Sequence, residues 1–426
     1  MIHMSTTRRA LALMVGVAAL AAVLSAFAGT ATARSTKTTL RMVGITEHKA
    51  GVEALVKLFQ KQNPDVKISV TLAPVDTYTT AIRAQLNSRN APDLLMSYPG
   101  DGNTASVVQL AKSGATMDLS DQSWVKGIPK AFRPIATYQG KTYTRPISTG
   151  MIGTLYNRDV FRAAGIKTLP RTWTQLLQTC AKLKAAGKIP FALGMATPWN
   201  TQLITYALVA STVMARDPSF AQKQRSGKAS FSKSGWREAF TKYIQMRDRG
   251  CFDEGAAGTT YEQTLTQIAN GDAAMLVQVF DIIPGITQAN PKVKLGAFPL
   301  PGVNTAAKVW APVGAGPSFA VSSHTKNADL AKKFVAFTAT RPAVTAYTKA
   351  TNTIPILTPI PKVLPASFAP MQQAFNQGRI TFYMDQLWPN SQVQPTHFAV
   401  VQQLFTKQID VDKALKKMDE AYNRKS

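Results

Sequence analysis

Histidine and cysteine are nearly absent: the 426 residues hold four histidines and two cysteines. Beyond the N-terminal leader the histidines are His48, His324 and His397, far from one another and from Cys180 and Cys251. Zinc sites need several such ligands at short, regular spacings, so a Cys/His metal centre is excluded and no cofactor is expected. A Gly-x-Ser-x-Gly elbow, a His-Glu-x-x-His string and a P-loop are also missing. Their absence removes the hydrolase, zinc-peptidase and nucleotide-binding classes that those motifs carry. Ser323-His324-Thr325-Lys326 has Ser-x-x-Lys spacing but none of the companion motifs. An enzyme is therefore not expected, although the paired carboxylates of a glycoside hydrolase are a property of the fold that no spacing reveals.

Acidic residues are also scarce. Asp and Glu number 23 against 49 Lys and Arg, a formal charge of +26. Such a balance attracts anionic polymers or lipid head groups, or is a solvated basic surface suited to its compartment. The basic residues are spread along the chain, with no arginine-rich run and no aromatic-interleaved RNA motif, so nucleic acid is not an expected partner. Long apolar runs are missing after the leader. The longest, such as Ala273-Ala274-Met275-Leu276-Val277, have strand length.

The leader is the exception. Arg8 and Arg9 precede a mostly small-apolar run, Ala10 to Ala28, which ends in Ala26-Phe27-Ala28 and Ala31-Thr32-Ala33. A basic start, an apolar stretch and a small-x-small cleavage site read as a signal peptide over residues 1–33, with an N-terminal membrane anchor as the alternative. The protein is thus expected in the periplasm or outside the cell. No cysteine follows the cleavage options to carry a lipid anchor. In an oxidising compartment Cys180 and Cys251 form one disulfide or remain two thiols.

Along the mature chain, periodicity alternates between two and 3.6. Thr39–Val43 reads as a strand. Val52, Leu55, Val56 and Phe59 form one helical stripe, stopped by Asn63-Pro64. Val66, Ile68, Val70 and Leu72 alternate as a strand; Tyr78, Ile82 and Leu86 mark a helix; Leu94-Leu95-Met96 is a buried strand. Further helices are expected over 173–186, 201–214, 235–249, 261–269, 327–340 and 411–422, with strands over 274–278, 293–297 and 318–322. This alternation implies an α/β fold with parallel pairing.

Five strings in this order resemble one family. They are Ala91-Pro92-Asp93-Leu94-Leu95-Met96, then Pro146 to Asp159 with its Tyr156-Asn157-Arg158-Asp159 ending, then Leu169-Pro170-Arg171-Thr172-Trp173, then Ala269-Asn270-Gly271-Asp272-Ala273-Ala274-Met275, and last Val411-Asp412-Lys413-Ala414-Leu415. Together they are similar to the extracellular solute-binding proteins of ABC importers, and most of all to the sugar-binding family that includes maltose-binding protein. The resemblance implies a two-lobed periplasmic-binding-protein fold of type II, its lobes joined by crossing hinge strands. The lobes would be 38–150 plus 303–350, and 151–302 plus 351–426, with hinges near Ser148–Thr154 and Pro299–Gly302. It also implies a monomer that holds a small-molecule carbohydrate between the lobes and docks on the membrane subunits of an ABC permease.

Sugars offer hydroxyls to short polar side chains and C–H faces to flat rings. The candidates are loop residues of those types. Tyr98 and Asp101 follow a buried strand, with Asp101 as a helix cap the alternative. Glu47 follows the first strand. Ser148 stands at the hinge, where the maltose binder has a carboxylate nearby and this chain has Gly150. Trp199 precedes a helix on a loop, with Asn200 a polar neighbour or helix cap. Gln278, Phe280 and Asp281 follow the strand at 274–278, Phe280 replacing the family's stacking Trp. Gly314 lies in a Gly-rich stretch that brings backbone to ligand or makes a tight turn. Trp388, after Tyr383 and Asp385, comes from the second lobe. An anionic sugar is the alternative ligand, with Arg145 as its counter-charge.

Overall fold

The computed structural model describes residues 37–88, 91–357 and 366–424. The leader over 1–33 lies outside the described residues. The strands are β1 (Thr38–Ile45), β2 (Val66–Ala73), β3 (Leu94–Ser97), β4 (Thr137–Tyr138), β5 (Lys141–Thr142), β6 (Ser148–Asn157), β7 (Ile189–Phe191), β8 (Ala273–Val279), β9 (Leu295–Phe298), β10 (Ala311–Ala315), β11 (Ser318–Val321), β12 (Ile354–Pro355) and β13 (Ile380–Phe382).

The first sheet runs β11-β3-β1-β2. β1 pairs in parallel with β2, Thr38 opposite Val66 through Ile45 opposite Ala73, and in parallel with β3. β11 closes the sheet antiparallel to β3. β3 lies between two neighbours, which is why Leu94, Leu95 and Met96 are all fully buried and show no alternation. The helix Lys49–Gln62 buries Val52, Leu55 and Phe59 against this sheet. It ends where Asn63 turns back, its side-chain amide donating to the Phe59 carbonyl at 2.9 Å. The helix Arg341–Thr351 lies beside it, and the Tyr347 ring fills the space that a side chain at Gly51 would need.

The second sheet runs β13-β10-β6-β8-β7, with β9 and β12 also paired to β6. β6 is its spine: β8, β9, β10 and β12 are all antiparallel to it. The helix Trp173–Ala185 opens on Thr172, whose hydroxyl accepts from the Gln175 amide. The helix Tyr261–Asn270 opens on a reciprocal Thr260–Gln263 capping box and ends at Gly271 with φ 79°, a left-handed turn that delivers the chain into β8. The structure joins Cys180 on the first of these helices to Cys251, Cα atoms 5.2 Å apart.

Each sheet has its own apolar core. Leu40, Leu55, Met96, Phe319, Phe334 and Tyr347 belong to the first. Leu176, Tyr206, Trp236, Phe240, Met275 and Trp388 belong to the second. The chain crosses between them three times: into β6 at Ser148, between β10 and β11 at Gly316-Pro317, and between Thr351 and β12. The expected crossing at Pro299–Gly302 is not one of these. Leu300 is buried in the second core, and β10 pairs with β6 and β13, so residues 303–315 stay with the second sheet. Among the described residues no helix is long and apolar enough to cross a membrane.

Candidate functional site

A cavity of about 610 Å³ lies between the two sheets, within the size range of small-molecule sites. Glu47, His48, Tyr98 and Asn103 line it from the first unit. Trp199, Tyr206, Tyr261, Asp281, Tyr383 and Asp385 line it from the second, and Gly314–Pro317 pass along its hinge side.

Five sequence candidates meet there: Glu47, Tyr98, Trp199, Asp281 and Gly314. Glu47 follows β1, and its Oε1 accepts from the Val75 amide at 3.3 Å. Its Oε2 is buried without a partner. Burial raises its pKa above the usual carboxylate range, and the charge of Asp281 adds to the rise. Asp281 Oδ2 stands 3.3 Å from His48 Nε2, and its Oδ1 is also buried and unpartnered. Trp199 packs on Tyr261, ring centroids 4.9 Å apart. Tyr98 is held by its backbone, its amide donating to Ala105 and its carbonyl accepting from Val107. Burial pushes the Tyr98 and Tyr383 hydroxyls well above their ordinary pKa, so both stay neutral and able to donate.

Gly314 sits inside β10, opposite Gly150 on β6, and not in a turn. A side chain there would enter the Tyr383 ring, and one at Gly150 would come within 3.1 Å of the Tyr383 hydroxyl. Both glycines therefore make room for a ring that forms the cavity wall.

The other candidates do not line the cavity. Asp101 accepts from Gln109 Nε2 at 2.7 Å and stands 3.5 Å from Lys112 Nζ, so its carboxylate is turned onto the side chains of the helix Val107–Lys112 and caps no backbone amide. Ser148 is fully buried at the crossing, where its carbonyl accepts from Gly316. Asn200 and Gln278 are buried and paired, Gln278 Nε2 donating to Asn200 Oδ1 at 2.8 Å, while Asn200 Nδ2 donates to the Gly194 carbonyl. That amide pair braces the loop carrying Trp199 from behind. Phe280 packs in the core on Phe368, centroids 4.9 Å apart. Trp388 is enclosed by Tyr206, Phe231, Trp236 and His397. Arg145 is buried at the crossing, its NH2 donating to the Ile356 carbonyl, and it does not reach the cavity.

Sequence reasoning missed His48, Tyr206, Tyr261 and Gln386 as wall residues. Tyr206 and Tyr261 sit within or at the start of helices, where a ring looks like core. Tyr383 and Asp385 were visible only as neighbours of Trp388. Gln386 Nε2 donates to the Ala315 carbonyl at 2.7 Å, tying the second unit to the crossing, and leaves its Oε1 buried and unpartnered. Asp385 is buried at the cavity wall, and burial raises it to about 6. Among the described residues no group of His, Cys, Asp or Glu is placed to hold a metal ion.

Comparison with known proteins agrees with this architecture. The family described as bacterial extracellular solute-binding protein matches residues 44–345. A multiple sugar-binding protein of Streptococcus mutans is 24% identical over 306 residues, 71% of this chain and 70% of its own. The melibiose/raffinose/stachyose-binding protein MelE of Bacillus subtilis is 24% identical over 319 residues, 73% of this chain and 72% of its own. A sugar transporter from Bacillus licheniformis, solved in complex with stachyose, superposes with a TM-score of 0.71 at 20% identity over 90% of this chain and 99% of that one. With two sheets, three crossings, a cavity between them and the family match over most of its length, this chain belongs to the bacterial extracellular solute-binding protein family.

Proposed function

We propose that the protein captures a mono- or short oligosaccharide between its lobes and passes it to the membrane subunits of an ABC importer. One observation carries this reading. Glu47 Oε2, Asp281 Oδ1, Tyr383 Oη and Gln386 Oε1 are all buried, all belong to cavity residues and all lack a partner within the protein. Buried polar atoms are normally satisfied, and a wall with this many spare polar groups suits an occupant rich in hydrogen-bonding groups. The rings of Tyr98, Trp199 and Tyr261 supply the flat apolar faces that pair with sugar C–H surfaces. The relatives named for sugars support the same class.

The four carboxyl groups in the wall, Glu47, Asp76, Asp281 and Asp385, disfavour the anionic ligand that Arg145 would have served. In this reading the leader over 1–33 is removed on export with no lipid anchor left behind. The moving units are 38–147 with 318–350, and 148–315 with 354–424. The protein acts as a monomer and leaves its sugar unchanged. Closure brings both walls onto the ligand, and ligand binding draws the population toward the closed form.

A thermal-shift screen of the processed protein against neutral mono- and oligosaccharides tests the proposal. A tight binder raises the melting temperature by mass action. No shift with any carbohydrate, or chemical conversion of the sugar that binds, would overturn it.

A further inference from the structure

The protein carries a net charge of +26, yet its cavity wall is acidic. Glu47, Asp76, Asp281 and Asp385 face it, and its basic residues are His48 and Arg83. Arg83 is exposed. His48 is already committed, with Nε2 3.3 Å from Asp281 and Nδ1 2.6 Å from the Tyr347 hydroxyl. One imidazole therefore stands beside two carboxylates, and each carboxylate keeps one buried oxygen without a partner. Neutral hydroxyls would satisfy hydrogen bonding there but would leave the excess negative charge uncompensated. Carboxylates taken out of water favour an opposite charge within a few ångströms. The rings of Tyr98 and Tyr261 lie close enough to feel the charges of both Glu47 and Asp281, and the faces of such rings also attract cations.

We infer that the cavity selects a sugar bearing a protonated amine, an amino sugar with a free ammonium group, seated between Glu47 and Asp281. This rests on the sugar-binding reading and narrows its ligand class. The ammonium has three donors, enough to bridge the Glu47 and Asp281 carboxylates that line the cavity with one to spare for a ring hydroxyl or water. His48 then acts as a positioning residue, holding the Asp281 carboxylate at the cavity wall. Exterior charges more than a Debye length away are screened at physiological ionic strength, so the selection rests on the groups that line the cavity.

The test is calorimetric titration of the processed protein, unfolded and refolded to strip carried-over ligand. The probes are matched mono- and disaccharides that differ only at C2: glucose, glucosamine and N-acetylglucosamine, the corresponding galactose set, and the β1-4 dimers of the glucose set. The free amine is expected to bind roughly ten- to a hundred-fold more tightly than the matched hydroxyl or acetamide, the range of one charge-assisted hydrogen bond. Asp281→Asn should bring that ratio down toward one. Circular dichroism of the variant establishes that it is folded, and Glu47→Gln provides a second reading of the same ratio. Equal or weaker binding of the amines, with neutral sugars bound, would overturn the amine proposal and leave a sugar-binding protein. Binding of no carbohydrate in the series or in the wider panel would instead remove the sugar reading on which it rests.

Discussion

His48 and Asp281 join the two units across the floor of the cavity. The imidazole follows β1, the carboxylate follows β8, and Nε2 to Oδ2 is 3.3 Å. Tyr347 holds the other ring nitrogen at 2.6 Å, so the ring cannot turn away without losing a buried hydrogen bond. The pair bridges elements of the two units that the proposed opening would separate. His48→Ala should lower ligand affinity by about ten-fold, near 1.5 kcal/mol for a charge-assisted contact. It should also enlarge the radius of gyration of the ligand-free protein in small-angle scattering. Unchanged values of both would remove the pair from closure.

A second contact between the units is backbone on backbone. A side chain at Gly102 would meet the Asp385 carbonyl oxygen at 2.5 Å, and one at Gly100 would meet the Gln386 carbonyl oxygen at 2.5 Å. Gly100 also has φ 78°, so a substitution there mixes two effects. Gly102→Ala is the cleaner variant. It should impede closure and cost at least ten-fold in affinity, while the melting temperature of the free protein changes little. Calorimetry paired with a melt distinguishes this from general unfolding; a large drop in melting temperature would contradict it.

Trp199 is one of the rings that the second unit offers, packed at a tilt on Tyr261 and braced by the buried Asn200–Gln278 pair. Trp199→Ala should weaken binding by one to three orders of magnitude, about 1.5 to 4 kcal/mol for an anchoring aromatic. Asn200→Ala, which touches no ligand, should reproduce part of that loss by freeing the loop. Calorimetric affinity equal to that of the parent for Trp199→Ala would take the ring out of the site.

Asp385 gives the stability a pH dependence of known sign. Its ordinary value of 3.8 rises to about 6 through burial, so the folded state holds the proton more tightly than the unfolded chain. The resulting stabilisation is complete below the unfolded pKa and is lost as pH rises through about 6. The size is on the order of 3 kcal/mol. Asp385→Asn should therefore gain stability over the parent progressively from pH 4 to pH 7, read by urea denaturation of the ligand-free protein. A difference that is flat across this range would refute the assignment.

The disulfide closes a loop of 71 residues between Cys180 and Cys251. Loop-closure entropy for that length is about 4 kcal/mol. Cys180→Ala with Cys251→Ala should lower the midpoint of chemical denaturation while leaving affinity nearly unchanged, because both cysteines are buried in the second core away from the cavity. A parallel loss of affinity would show that the bridge also shapes the site.

Local pattern carried much of the fold. The stripe of Val52, Leu55 and Phe59 became the helix Lys49–Gln62 because a helical period places those residues on one face whatever packs against them. Thr260 and Gly271 bounded their helix for similarly local reasons. β10 was hidden. Ala311-Pro312-Val313-Gly314-Ala315 has no strand-like alternation, and it is a strand because β6 and β13 flank it and the Tyr383 ring covers its glycine. The return crossing was misplaced for the same reason: Pro299–Gly302 looks like a break, but Leu300 is held in the second core.

The site divided along the same line. Residue type and loop position marked Tyr98, Trp199, Glu47 and Asp281, because rings and carboxylates on loops between elements tend to face a crevice. The same marks pointed to Asp101 and Trp388, which the fold spends on Gln109 and on a cluster of rings. By itself the sequence determined the order of helices and strands and the chemical types available to the cleft, since both depend on near neighbours. Only the tertiary structure decided which polar side chains pair with each other and which residues line the cavity, because those partners are distant in the chain and meet only once both sheets have formed.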